Sequence, residues 1–341
     1  MSEIKKYIEK ISNNENLTQE EAGRVFQIMF NNGATPAQIA ATLMGLRIKG
    51  ESIAEISGAV QAMRAKMVKL PISDDLRHRS IDTCGTGGDK KGTYNISTAV
   101  AFVVAGAGVP VVKHGNRAIS SRSGSADVLR ALGVNIDATP ESSAKALKES
   151  NICFMLAPIY HKSLVNIAPV RLELGFKTIF NILGPLSNPA LPDYQVVGVF
   201  DRSLTLKMAE VLKNLGSKAA MVVSGEDGMD EITTCGKTYV AELKDGIIVE
   251  YEIHPQDYGI EIPKPEMLEG GEEVNNAAEL RNVLEGGRGA YRDIVCLNAA
   301  AALKVAGKAT SIHEGYAMAQ QSIDSGAARM ALEKLIEFSN L

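Results

Sequence analysis

A chain of 341 residues exceeds what one hydrophobic core usually serves, so two domains are expected, and 45% hydrophobic with 22% charged residues excludes a disordered polypeptide. A formal net charge of -4, no Trp and 5% aromatics exclude the basic, base-stacking surface of a nucleic-acid binder. Cys84, Cys153, Cys235 and Cys296 form no Cys-x-x-Cys pair, which excludes both a zinc site and a disulfide framework and fits reduced thiols in a cytoplasmic protein.

The start, Met1 to Lys10, is charged and lacks an apolar leader, and no later run is apolar over a membrane's width, so no membrane partner is expected. Residues 1–70 read as a small helical domain. Thr18 with Glu21 and Ser52 with Glu55 have capping-box spacing, and Thr35-Pro36 pairs a cap with a first-turn proline. Residues 71–80, with Pro71, Ser73 and a charged run from Asp74 to Arg79, read as a linker or hinge.

From residue 81 to 341 short apolar runs alternate with helical patterns: Ile81 to Cys84, Val109 to Lys113, Asn151 to Leu156, Tyr194 to Phe200 and Lys218 to Ser224. That alternation predicts an α/β domain with a mainly parallel sheet flanked by helices. Tyr239 to Leu243 and Ile247 to Glu252 flank Asp245-Gly246, which predicts an antiparallel hairpin at an edge. Ala290 to Val305 and Ala327 to Phe338 read as closing helices.

The chemistry gathers in the loops after the strands, because a parallel sheet collects them on one edge. Residues 82–98 put Gly85, Gly87 and Gly88 between a strand and an apolar helix that begins near Ser97 and Thr98. Glycines there let several N–H groups face one anion, and the helix dipole favours negative charge, so the loop reads as a diphosphate cradle. It matches neither the Walker loop nor Gly-x-Gly-x-x-Gly; an ordinary βα turn is the plain alternative. The second loop, Lys113 to Arg117 and then Ser120 to Asp127, is rich in donors for phosphate oxygens. The third, Ser224 to Glu231, offers adjacent hard carboxylates that suit Mg2+, although Asp227-Gly228 by itself is more often a surface turn. In the fourth, Arg171 on a helix-like stretch from Leu164 to Leu174 has the fork to hold a carboxylate, or is a solvated helix charge. His114 and His161 are site candidates or packed histidines; His78, His254 and His313 receive no role.

Gly-Thr-Gly-Gly-Asp (85–89), Asn-Ile-Ser-Thr (95–98), Lys-His-Gly-Asn-Arg (113–117), Ser-Gly-Ser-Ala-Asp-Val-Leu (123–129) and Phe-Asn-Ile-Leu-Gly-Pro-Leu (180–186), in this order, resemble the anthranilate phosphoribosyltransferase family over essentially the whole chain. The resemblance implies a magnesium-dependent glycosyltransferase that joins anthranilate to 5-phosphoribosyl 1-diphosphate in the second step of tryptophan biosynthesis from chorismate. It implies a nucleoside phosphorylase/phosphoribosyltransferase-like fold, with the helical domain completed by helices around 165–185, a homodimer, and a site in the hinge between the domains. Carried over, Gly85, Gly88, Asp89, Thr93, Asn95, Ser97, Thr98, Lys113, Ser121, Ser123, Gly124 and Ser125 would bind the sugar diphosphate. Ser97, Asp230 and Glu231 would hold Mg2+, and Gly85, His114, Asn116, His161, Arg171, Gly184 and Pro185 would meet anthranilate. No residue is implied as a general base. The chain departs from the family's pattern at Lys162 to Val165, where Pro-Ala-Met-Lys is frequent, and at Ser224, where His is common.

Overall fold

The computed structural model describes residues 3–89, 91–118 and 123–341. It begins with helices α1 (Ile4–Ser12), α2 (Gln19–Phe30), α3 (Pro36–Lys49) and α4 (Ile53–Lys66). Thr18, Thr35 and Ser52 each close a capping box, with Glu21, Gln38 and Glu55 as the reciprocal partners. Glu55 goes further: fully buried, its carboxylate takes the Leu17 and Ser52 N–H groups at 2.9 and 2.8 Å and pairs with Lys49 at 2.8 Å. One charge thus joins three helix ends.

The stretch expected to be a linker contains a six-residue helix, α5 (Asp74–Arg79), capped by Ser73. Acids in its first turn and bases in its last complement the dipole, which lets so short a segment coil. His78, given no role from sequence, sits with Arg77 and Lys218 around the Asp193 carboxylate, and the His78 contact is 2.7 Å.

The α/β part runs β1 (Ile81–Gly85), α6 (Ile96–Gly106), β2 (Val111–Gly115), α7 (Ser125–Ala131), α8 (Pro140–Ser150), β3 (Ile152–Leu156), α9 (Ala157–Tyr160), α10 (Ala168–Leu174), α11 (Phe180–Leu183), β4 (Tyr194–Gly198), α12 (Leu204–Asn214), β5 (Ala219–Gly225), β6 (Thr238–Lys244), β7 (Ile247–Ile253), α13 (Glu273–Leu284), α14 (Ala290–Val305), α15 (Ile312–Asp324) and α16 (Ala327–Ser339). The strands form one seven-stranded sheet in the order β3-β2-β1-β4-β5-β6-β7. The pairs from β3 to β5 are parallel, and β6 and β7 add antiparallel. Asp245 and Gly246 both have positive φ, as the tight hairpin between β6 and β7 requires.

Side chains alternate across the sheet with period two. Val196, Met221 and Val223 join one apolar cluster with α6, α14, α15 and α16, while Val197, Ala220 and Val222 join another with α12. That second cluster continues into α1 to α4 and takes in Ile167, Val170, Ile179, Phe180, Ile182, Leu183 and Leu186. Residues 167–186 therefore pack with the first four helices although a long stretch of sequence separates them. The helix expected from Leu164 starts instead at Ala168, where Pro169 occupies the first turn.

Candidate functional site

In a sheet of this order the chain switches direction between β1 and β4, and the crevice at the carboxyl ends of such a pair is where ligands sit. Gly85 and Gly198 face each other there in register, and the Thr86 N–H donates to the Gly198 carbonyl at 2.9 Å. Asp230 lies over both. A Cβ at Gly85 would run into its carboxylate, and one at Gly198 into its backbone carbonyl, so both strands must end without side chains.

The glycine loop and the acidic pair meet directly. Gly87 and Gly88 have φ of 67° and 72°, and the Gly87 N–H donates to Asp230 Oδ2 at 2.7 Å. Glu231 Oε1 accepts the Ser97 N–H at 3.2 Å, in the first turn of α6. Lys113, buried at the end of β2, donates from Nζ to the Thr83 carbonyl at 2.8 Å and to Ser97 Oγ at 3.2 Å. The sequence expectation that these loops converge is what the fold delivers.

Electrostatics in this crevice call for a cation. Burial raises the pKa of Asp230, and Asp89 nearby raises it further; burial and then Asp230 raise Glu231. Lys113 offsets part of this, but burial pulls its own pKa down. Beneath them Asp82 is wholly buried and pushed up to about 6 by the loss of water. Among the described residues no cluster of three or more His, Cys, Asp or Glu side chains forms a cage for an ion. Mg2+ keeps water and substrate oxygens and takes few protein ligands. The residues present fit it: crowded carboxylates with raised pKa values, next to the Ser97 hydroxyl. The buried Oγ1 atoms of Thr86 and Thr98 have no partner among the described residues.

The remaining expected residues fall around this centre. Gly124 precedes α7, whose Asp127 ties the loop by accepting the Ala118 and Gly124 N–H groups at 2.8 and 2.9 Å. Ser125 Oγ donates to the Asn116 carbonyl at 3.3 Å, and Asn95 Nδ2 to the Ser123 carbonyl at 3.4 Å. Asp89 caps its own loop through the Lys91 N–H at 3.1 Å, and Thr93 bridges to Glu269. Ser121, like Ser120 and Arg122, lies outside the described residues.

His114 and His161 face each other with ring centroids 5.1 Å apart. Burial pushes them down to about 3 and about 4 respectively, with His161 adding to the shift at His114, so both rings are neutral. His114 Nε2 and both nitrogens of His161 are buried without partners among the described residues. Gly184 lies by His114, and the Pro185 carbonyl accepts from Gln195 at 2.9 Å. Arg171 stacks over Phe180 at 5.1 Å, and burial lowers its pKa. Asn116 is exposed at the mouth.

Three contributors escaped sequence reasoning. Gly198 gave no motif and read as the interior of the run from Tyr194 to Phe200, whereas the strand ends on it. Asp82 read as part of an apolar run. Lys177 comes from the segment before α11, yet its Nζ sits over Phe200 at 3.2 Å and its Cε lies 3.2 Å from the place a Cβ would take on Gly88.

A helical bundle beside an α/β domain is the architecture of a glycosyl transferase family whose two models together match most of this chain. Residues 5–67 match the family "Glycosyl transferase family, helical bundle domain" and residues 77–329 match "Glycosyl transferase family, a/b domain". The chain is 52% identical over 339 residues to anthranilate phosphoribosyltransferase of Rhodopseudomonas palustris (strain TIE-1), covering 99% of each chain. It is 50% identical to that of Nitrobacter hamburgensis, covering 100% of both. The crystal structure of the Thermus thermophilus enzyme superposes with a TM-score of 0.92 at 40% identity, over 98% of this chain and 99% of that one. The Saccharomyces cerevisiae enzyme in complex with PRPP and Mg superposes at 0.87 with 25% identity, over 99% and 98%. The chain belongs to the anthranilate phosphoribosyltransferase family.

Proposed function

We propose that this chain transfers the phosphoribosyl group of 5-phosphoribosyl 1-diphosphate to the amine of anthranilate, giving N-(5-phosphoribosyl)anthranilate and diphosphate. The observation that carries the reading is the contact of Asp230 with Gly87, 143 residues apart in sequence, which sets an acidic pair on a phosphate cradle. The C1–O bond to diphosphate breaks, the C1–N bond forms, and the amine gives up one proton. Negative charge grows on the leaving group, so donors held rigidly around it act more strongly at the transition state than before.

In this assignment Gly85, Gly88, Asp89, Thr93, Asn95, Ser97, Thr98, Lys113 and the loop of Ser121, Ser123, Gly124 and Ser125 bind the sugar diphosphate. Ser97, Asp230 and Glu231 hold Mg2+ directly or through water, and the ion supplies positive charge to the diphosphate oxygens when bound. Arg171 forks onto the anthranilate carboxylate, while the neutral rings of His114 and His161, with Asn116, Gly184 and Pro185, position the aromatic amine. An aromatic amine is already a free base near neutral pH, so orientation takes the place of a general base. In this reading the region around 71–80 is the hinge about which one part closes on the other and excludes water, and the packing of residues 167–186 with the first four helices supports counting them with the helical part.

The family resemblance also supports a homodimer, and α3 and α10, which pack together, leave Ile48 and Leu172 78% and 76% exposed for a second copy to cover. The direct test mixes protein, Mg2+, anthranilate and 5-phosphoribosyl 1-diphosphate and follows anthranilate fluorescence. Steady loss supports the assignment; constant fluorescence at every magnesium concentration refutes it.

A further inference from the structure

Asn95 stands at the N-terminus of α6, facing the loop of Ser123, and its side-chain amide presents a donor on one side and an acceptor on the other. Which side faces the ligand decides whether the group attracts or repels phosphate oxygens. Nothing on α6 itself settles that orientation. The Ser123 carbonyl on one side and the segment after residue 268 on the other do.

This segment lies against the end of the glycine loop, from Gly92 to Tyr94. The Tyr94 N–H donates to the Leu268 carbonyl at 3.1 Å, Thr93 bridges to Glu269, and the Gly270 N–H donates to the Gly92 carbonyl at 2.8 Å. A Cβ on Gly270 would press on the Thr93 backbone, so the approach is as close as glycine allows. Tyr291 stacks on Tyr94 at 4.5 Å and donates its hydroxyl to the Asn95 carbonyl at 3.3 Å. Within this wall Asn276, on α13, is 2% exposed.

Its orientation follows from a backbone donor. The Gly271 N–H can only donate, and it lies 2.7 Å from Asn276 Oδ1, so that atom is the oxygen. Asn276 Nδ2 is then the donor that lies 3.1 Å from Asn95 Oδ1. Asn95 Nδ2 is left facing the Ser123 loop, 3.4 Å from the Ser123 carbonyl. One peptide N–H, passed through two side-chain amides, points a donor at the Ser123 loop.

We propose that Asn276 is a positioning residue: it fixes the Asn95 amide so that Nδ2, not Oδ1, faces the sugar diphosphate. The proposal rests on the assignment of Asn95 to that ligand. Replacement by aspartate inverts the relay, because a carboxylate accepts on both sides; Asn95 must rotate to donate to it and then offers its oxygen to phosphate.

The test is calorimetric binding of 5-phosphoribosyl 1-diphosphate with Mg2+ to the full-length protein and to Asn95→Ala, Asn276→Ala, Asn276→Asp and the double variants. Unfolding midpoints are measured alongside, and rates at varied anthranilate. Asn276→Ala weakens binding about threefold to tenfold and Asn276→Asp about thirtyfold or more, since a lost hydrogen bond costs less than a mispaired one. The KM for anthranilate stays within about twofold, and in the Asn95→Ala background either change at 276 costs less than about twofold, as coupled residues require. Equal losses in the two single variants, or an undiminished loss in the Asn95→Ala background, overturn the relay. If the aspartate variant does not fold, the alanine cycle decides alone. Asn95→Ala binding as tightly as wild type removes Asn95 from the ligand and the relay with it, whereas a weakened Asn95→Ala with additive losses overturns the relay only.

Discussion

Gly198→Ala tests whether the ends of β1 and β4 are shaped to seat Asp230. The added methyl overlaps the Asp230 backbone carbonyl. A rotamer change cannot relieve it, and β4 cannot retreat, because it is paired to β1 on one side and β5 on the other. Overpacking of this kind costs roughly 1–3 kcal/mol of stability. If the strain is released by moving Asp230, a displacement on the order of 1 Å at a binding group lowers kcat/KM about a hundredfold. The assay is steady-state kinetics with magnesium as the varied component, beside thermal unfolding of the same preparation. We expect a raised magnesium requirement and a raised KM for the sugar diphosphate, with the KM for anthranilate little changed. A variant with kcat/KM within about threefold of wild type and an unaltered magnesium curve would falsify the reasoning.

Arg171→Ala should raise the KM for anthranilate by about tenfold or more while changing that for the sugar diphosphate far less; the opposite order would place Arg171 on the other ligand. Asp230→Asn with Glu231→Gln should abolish the stabilisation that Mg2+ gives in thermal unfolding. Because burial, and next their neighbouring acids, raise Asp230 to about 7 and Glu231 to about 8, the cost of ionising them is absent below the unfolded carboxylate range, grows as pH climbs from there to the raised values and is constant above. The metal-free double variant should therefore gain on wild type from about pH 4 to about pH 8, and a constant difference between the two proteins over that range contradicts this. His114 and His161 run the other way: held neutral down to about 3 and about 4, they contribute stability above the unfolded value near 6.5 that is lost as pH falls. Since each pH unit by which a pKa moves corresponds to about 1.4 kcal/mol, His161→Asn should flatten the fall in stability between about pH 6.5 and about pH 4. An equally steep fall would show that His161 is not the buried neutral ring described.

Much of the fold was legible because its signals are local. The helix from Ala290 to Val305 is bounded as expected, and each strand lies within a few residues of its apolar run, since pattern and turn chemistry agree there. The short helix at Asp74–Arg79 was hidden because its stability comes from caps and charge pairs in a segment with no buried residue. Pro169 moved the start of α10, a boundary that periodicity alone does not fix. In the site, glycine-rich and charged motifs announced themselves. Gly198, Lys177 and Asn276 did not, because each matters only through a neighbour far away in sequence: a carbonyl, a glycine loop, another amide.

Lys113 has a further consequence. Its ammonium is already tethered by the Thr83 carbonyl and the Ser97 hydroxyl before any ligand arrives, and it is 3% exposed. In the assignment proposed above, a charge so moored would lose little torsional freedom when the sugar diphosphate docks, and its solvent shell has been stripped in advance. Arginine at this position would keep the charge and lose the arrangement, because a broad planar fork does not fit where a compact, three-pronged head hangs between two oxygens.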